Sequence, residues 1–195
     1  MQVIKDKRER CDECSKTALD DVEEVHKMLK NEVPEFFSMI NHEMPQDDIK
    51  VQFCYTDEIQ KVLGRPWNPT RLFDVRSTGV ASLHENTIRM ENGMPLKMSV
   101  MVTIHEWVHL WQYKHLDYHR MKKDRDLEYI EGQTTWSEIY YAEKKWKEGV
   151  LWERQNGFLT RNDEYGRGYR LMKKIESETG LNPFEWLLMN YPKSK

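Results

Sequence analysis

Five consecutive residues near the middle of the chain, His105-Glu106-Trp107-Val108-His109, have the types and spacing of a metal site. Side chains four residues apart on an α-helix turn through roughly 400° and lie about 6 Å apart along one face. Both imidazoles can therefore reach one zinc ion, while Glu106 is displaced enough to hydrogen-bond a water instead of binding the metal. The pattern predicts a single catalytic zinc ion bound by His105 and His109, with Glu106 as the general base.

The dipeptide His-Glu occurs three times in the chain, which provides an internal comparison. The pairs at 42–43 and 84–85 are followed, four residues after the histidine, by Gln46 and Ile88. The third pair alone has a second histidine at the distance of one helical turn. Its surroundings are strongly apolar, and buried histidines without a partner are costly. Both features favour a metal site over a chance motif on a core helix.

A catalytic zinc site needs three protein ligands and one open position, so a third ligand must be found. His115 stands ten residues after His105, as in the metzincin motif. That motif has a glycine that breaks the helix, whereas this chain has Gln112 at the corresponding position. An unbroken helix would carry His115 about 15 Å along the axis from His105. His115 therefore stays a minor alternative.

Acidic residues on the next predicted helix are better candidates, since Glu128, Glu131 and Glu138 lie near one face. Gly132 favours Glu131, because a residue without a side chain lets this helix approach the histidine helix closely. We therefore predict Glu131 as the third ligand, with Glu128 as the alternative. Glu138 is predicted to orient a ligand imidazole.

The elements that position these residues can be read from the periodicity of apolar side chains. Three- and four-residue steps that start at Leu19 predict a helix, and alternation predicts a half-buried strand over 49–55. Two short strand-like runs follow within 78–95, and the second ends at the turn signal Asn92-Gly93. The N-terminal half is therefore expected to supply a small sheet.

The pattern becomes helical after Pro95 and stays so for most of the remaining chain. A long buried helix is predicted to contain the two histidines, and a second helix to run from about Asp126 to Lys147, closed by Gly149. Two further helices are predicted over 165–181 and 182–190, the latter with Asn182 as its cap and Pro183 at its first position.

Together these elements predict an α+β fold. A small antiparallel or mixed sheet in the N-terminal half packs on the helix that carries the two histidines, and the C-terminal half is helical. With 195 residues the chain is long enough for one domain with a real core and short for two. We expect a single domain over residues 1–195.

Composition limits the protein's location and its partners. No signal-peptide pattern or membrane-length apolar segment is present, and three cysteines do not suggest a disulfide framework. We expect a soluble cytoplasmic protein without a membrane partner. The formal charge of −3 makes nucleic acid an unlikely partner. The basic segment 114–125 is interpreted as a solvated loop, with contact to nucleic acid or to an acidic substrate as the alternative.

The chain resembles the peptidase domain of the plant Da-one family, which are ubiquitin-activated gluzincins. The sequence HEWVHLWQ at 105–112, followed by Glu131-Gly132, is similar to that family's pair of metal-binding helices. DEYGRGYR at 163–170 resembles the family's Tyr-Gly-x-Gly segment, and GLNPFEWLLMN at 180–190 resembles its C-terminal helix. The resemblance implies a gluzincin fold, a His₂Glu zinc site and hydrolysis of peptide bonds in protein substrates.

The N-terminal region differs from the plant members. The sequence CDECSKTA, which starts at Cys11, resembles the last zinc knuckle of a LIM domain, and residues 1–16 are interpreted as a remnant of such a lead-in. A complete LIM domain and ubiquitin-interacting helices are not expected, so dependence on ubiquitin is not carried over. Whether Cys11 and Cys14 bind a second zinc is left open, since they supply two of the four ligands of a structural site.

The expected activity is that of an endopeptidase. Tyr165 and Arg170 are candidates to donate hydrogen bonds to the developing oxyanion. The run Met90-Glu91-Asn92 matches the end of the exopeptidase motif Gly-x-Met-Glu-Asn, but Ile88 stands where that motif has its glycine. An extended substrate is expected to pair with the sheet edge near 79–83. Two rivals stay open: a non-catalytic, zinc-stabilised interaction module, and a DNA-associated protease that uses the basic segment.

Overall fold

The computed structural model describes residues 2–3, 9–19, 21–45, 49–64, 78–82, 84–125 and 127–193. The strands are β1 (Gln2–Val3), β2 (Glu9–Arg10), β3 (Lys50–Cys54), β4 (Gly79–Ser82) and β5 (Thr87–Glu91). The helices are α1 (Asp12–Lys16), α2 (Val22–Met39), α3 (Thr56–Val62), α4 (Leu96–His115), α5 (Tyr118–Arg125), α6 (Glu128–Trp146), α7 (Gly149–Gln155), α8 (Glu164–Thr179) and α9 (Pro183–Asn190). The expected α+β class and the small sheet are confirmed.

Contacts divide the chain into two compact units. The first comprises Met1–Glu35 and Gln46–Glu106, and the second comprises Phe36–Pro45 and Trp107–Lys195. One boundary falls inside α2 and another inside α4. The expectation of one domain stays a prediction.

The first unit contains a mixed sheet with the strand order β3-β5-β4. β3 pairs with β5 in parallel, and β4 pairs with β5 in antiparallel orientation. The central strand β5 is the most buried, with Ile88 and Met90 fully enclosed, whereas β3 is half-buried as its alternation predicts. β4 therefore lies at an edge of the sheet in the part of the chain that the structure describes.

Residues of the sheet contact the first half of α4. The hydroxyl oxygen of Thr103 on α4 lies 3.1 Å from the sulfur of Met90 on β5. The start of α4 is held by the segment after α1, because Leu19 N–H donates to Met94 O at 3.0 Å and Leu96 N–H donates to Thr17 O at 2.7 Å. These bonds fix where the helix begins.

The second unit is helical, and its closest helix pair is α6 with α8. A side chain on Gly132 of α6 would lie 2.5 Å from the backbone of Gly168 on α8, and one on Gly168 would lie 2.4 Å from Glu128 O. The two glycines thus let two backbones touch. The prediction that Gly132 serves the approach to the histidine helix is wrong, since its neighbour is α8.

Two other predicted features of this unit are also wrong. Helix α6 is closed by Lys147, which takes the left-handed conformation at φ 61°, whereas Gly149 begins α7. The basic segment 114–125 was predicted to be a loop, but its residues from Tyr118 to Arg125 form helix α5. This helix buries Met121 and exposes most of its charged residues. The caps of α9 are confirmed: the Asn182 side chain accepts from Glu185 N–H, and Pro183 is the first helical residue.

Among the described helices, none combines the length and the apolar character required to cross a lipid bilayer.

Candidate metal centre

His105, His109 and Glu131 come together as predicted. One ligand atom from each side chain lies within 4.8 Å of the other two. Nε2 of His109 is 3.5 Å from Oε2 of Glu131. Ligand atoms bound about 2.0–2.1 Å from a tetrahedral zinc ion lie about 3.3 Å from one another, so this pair already has nearly the separation that zinc requires. Two imidazole nitrogens and one carboxylate oxygen form a donor set suited to zinc.

The secondary structure explains why these three side chains meet. α4 presents His105 and His109 on one face, one turn apart. Glu131 lies in the first turn of α6, where the partial positive charge of the helix N-terminus favours a carboxylate. The side chains of His109 and Glu131 retain 15% and 13% of their surface exposed, so both are mostly buried.

Glu106 is on the same helix and is 6% exposed. Its side chain lies against β4: a Cβ on Gly79 would be 2.9 Å from Oε1 of Glu106 and 2.6 Å from a methyl group of Val102. A larger residue at position 79 would collide with the carboxylate. The glycine therefore lets a potential proton acceptor lie directly beside the edge strand of the sheet.

Two neighbours of the cluster were missed by sequence reasoning. Gln112 contacts His109, with 3.0 Å between its Oε1 and the imidazole Nδ1. Burial, and after it the negative charge of Glu131, raise the pKa of the Tyr118 phenol. No sequence motif identifies either residue, because both depend on how α4, α5 and α6 pack.

The alternative ligands are engaged elsewhere. Glu128 accepts from the guanidinium of Arg167 at 2.6 Å, and Glu138 accepts from the indole N–H of Trp152 at 2.9 Å. None of Glu128, Glu138 and His115 belongs to the metal-ligand cluster of the described residues. The role of Glu138 in orienting an imidazole stays a prediction.

The predicted oxyanion donors both lie on α8. Nη1 of Arg170 donates to the carbonyl oxygens of Phe158, Leu159 and Arg161 at 2.9–3.2 Å. The ring of Tyr165 is covered by the Arg161 guanidinium, 5.2 Å from its centroid. These contacts stabilise the connection between α7 and α8. Oxyanion binding by Tyr165 and Arg170 stays a prediction.

The three cysteines are free thiols. Cys11 caps α1, and the Cys14 N–H that donates to its sulfur at 3.3 Å lowers the pKa of the Cys11 thiol. Neither thiol belongs to a group of three or more metal-ligating side chains among the residues described. A second zinc at this pair stays an open question.

A pair of histidines packs around Trp111 in the second unit. The ring centroids of His42 and His115 lie 5.3 Å and 5.0 Å from that of Trp111. Burial lowers the pKa of both histidines below their usual 6.5. Glu185 partly opposes this effect at His42, and Lys114 adds to it at His115.

We expect the free energy of unfolding to fall as the pH drops below about 6.5, because the unfolded chain then binds protons that the neutral, half-buried His42 and His115 resist. Urea denaturation at pH 7.5 and pH 5.0 measures this loss. The double variant His42→Phe with His115→Phe keeps the rings and should lose less stability between the two pH values. The exposed His119, changed to Phe, is the control, and an equal loss in the double variant and in wild type would contradict the expectation.

Comparison of the chain with family models, with curated proteins and with solved structures finds no match.

Proposed function

We propose that the protein is a zinc-dependent peptidase of gluzincin type with a zincin-like fold, which hydrolyses peptide bonds within protein substrates. The observation that carries the proposal is the convergence of His105, His109 and Glu131 within 4.8 Å. The two histidines lie on the helix that also holds the buried Glu106. Three protein ligands leave one position of a tetrahedral ion open, as a catalytic site requires. The likeness of 105–112 and 131–132 to the Da-one peptidases supports the same assignment.

In this proposal the zinc ion and the side chains of the protein have separate roles in catalysis. A bound zinc ion supplies a Lewis acid that lowers the pKa of water toward about 7 and polarises the carbonyl of the bond to be cleaved. Glu106 takes the proton of the attacking water and passes it to the leaving amine.

The sheet edge suggests how a substrate is held. β4 pairs with β5 on one side, and no strand of the described residues pairs with its opposite side. The backbone groups there can pair with an extended peptide. Gly79 at the start of β4 lies against Glu106, so a peptide along this edge would pass close to the proposed base. Such binding depends on the substrate backbone and suits an endopeptidase.

The first test is metal content together with cleavage. The purified protein should contain about one zinc per chain and cleave members of a broad peptide library. A chelator should abolish cleavage and added zinc should restore it. His109→Ala removes one of three ligands and should weaken zinc binding by more than about 100-fold, whereas His119→Ala, an exposed histidine of α5, should change neither metal content nor activity.

The outcomes separate the rival functions. Zinc bound without any cleavage would favour the non-catalytic interaction module. Retention of DNA that falls steeply with salt would favour a DNA-associated protease. Equal zinc content in wild type and His109→Ala would refute the site itself.

A further inference from the structure

Gln112 is fully buried, and its side chain joins the histidine helix to the helix of the third ligand. Its Oε1 lies 3.0 Å from Nδ1 of His109. Its Nε2 donates to Ile130 O at 2.8 Å and to Oε1 of Gln133 at 3.0 Å. Ile130 directly precedes Glu131, so one amide group contacts a metal ligand and the backbone beside another.

The backbone carbonyl of Ile130 determines which way this amide points. A carbonyl oxygen carries no hydrogen and can only accept, so the atom of Gln112 that faces it must be the nitrogen. The atom that faces His109 is then the amide oxygen, which also can only accept. The proton must therefore reside on Nδ1 of His109.

When the imidazole of His109 is neutral, its opposite nitrogen, Nε2, then carries no proton. A neutral imidazole protonated on Nδ1 has its lone pair on Nε2, which is the atom that lies 3.5 Å from the Glu131 carboxylate. Nε2 is thus ready to bind a metal in the group formed with His105 and Glu131.

Gln133 supports the same orientation. It is fully buried and presents its oxygen to Gln112, while its own Nε2 has no hydrogen-bond partner in the described part of the chain. Reversing Gln112 would place its amide oxygen against the oxygen of Gln133 and against the Ile130 carbonyl, which are acceptors without a donor. The contact therefore requires Gln112 to point its nitrogen toward α6.

We propose that Gln112 is a positioning residue that holds His109 in its Nδ1-protonated form and ties it to the backbone beside Glu131. The part of this inference that concerns zinc rests on the proposed function, whereas the part that concerns the imidazole proton does not. A hydrogen-bonded outer partner of this kind typically changes metal affinity by about 10- to 100-fold.

The decisive measurement is the position of the proton on His109 in the full-length, zinc-free protein. Two-bond ¹H–¹⁵N spectra at pH 8 distinguish the two neutral forms of histidine, and comparison with His109→Ala assigns the signal among the seven histidines. Wild type should show His109 protonated on Nδ1. Protonation on Nε2 in wild type would overturn the proposal without the need for any further variant.

Variants then measure what the hydrogen bond contributes. Gln112→Met keeps the approximate side-chain size and removes every hydrogen bond. It should allow both neutral forms of His109 and weaken zinc binding by about 10- to 100-fold in a chelator competition. Gln133→Met leaves the Ile130 carbonyl in place, so the proton should stay on Nδ1 and zinc affinity should change by less than about 3-fold, below the usual range for an outer partner.

Thr103→Val is the control for loss of a buried polar group. It removes from the same helix a hydroxyl that donates to Ser99 O at 2.6 Å. Its stability should fall, but the His109 spectrum and zinc affinity should match wild type. Unchanged spectrum and zinc affinity in Gln112→Met would overturn the proposal. Tight zinc binding with the expected Gln112 effects but no peptide cleavage would refute the peptidase function and leave this inference standing.

Discussion

Replacing Glu106 by glutamine should abolish peptide hydrolysis while zinc content and melting temperature stay close to those of wild type. The two side chains have nearly the same shape, and the amide can occupy the buried position beside Gly79 without a new void. The amide cannot accept the proton of the attacking water. General base catalysis typically contributes about 10²- to 10⁴-fold, and we expect kcat to fall by at least that range.

The matched control is Glu128→Gln on α6. Glu128 was the alternative third ligand, but its carboxylate binds Arg167, with 20% of its side chain exposed. The variant should lose that ion pair and retain hydrolysis within about 3-fold, since single surface pairs contribute little. Normal turnover by Glu106→Gln with zinc bound would show that another group removes the proton.

Gly132→Ala should cause the largest loss of stability of the variants considered. The added methyl group would lie 2.5 Å from the carbonyl of Gly168, a backbone atom that cannot rotate away. Overpacking of this kind costs about 1–3 kcal/mol and occasionally more. In a helix without this contact the same change would stabilise by about 1 kcal/mol, so the predicted sign depends on the packing of α6 with α8.

Chemical denaturation of wild type and Gly132→Ala provides the measurement. Gly180→Ala is the comparison, since a methyl group there has open space and meets only the cost of the left-handed conformation at φ 71°, about 1–2 kcal/mol. Gly132→Ala should lose at least as much and should also weaken zinc binding, because Glu131 is the adjacent residue. A stabilised Gly132→Ala would show that α6 and α8 do not touch at this point.

Local patterns predicted most elements of the fold. The half-buried alternation over 49–55 gave β3, and the apolar repeat after Pro95 gave α4, because these signals come from neighbouring residues. The helix α5 was not predicted, because it buries a single apolar residue, Met121, among exposed charged residues. A helix with one buried apolar residue shows no repeat of apolar residues in its sequence.

The residues of the candidate site likewise differ in how far the sequence predicts them. The spacing of His105 and His109 is a property of one helix, so the sequence contains it completely. The match to Glu131 required a guess about packing, and the reason given for it, Gly132, was wrong although the residue clustered as predicted. Gln112 contacts α6 through a backbone carbonyl. Every residue has such a carbonyl, so the amino-acid sequence cannot indicate this contact.

The order of strands in the sheet has a consequence for how the first unit folds. β4 and β5 join through the short connection between Ser82 and Thr87, a loop that closes with little loss of chain entropy. β3 adds in parallel to the other side of β5, which brings Lys50 beside Thr87 across a long stretch of chain. Distant contacts form more slowly than local ones. The hairpin of β4 and β5 should therefore form early in folding. The pairing of β3 with β5 should be the rate-limiting step.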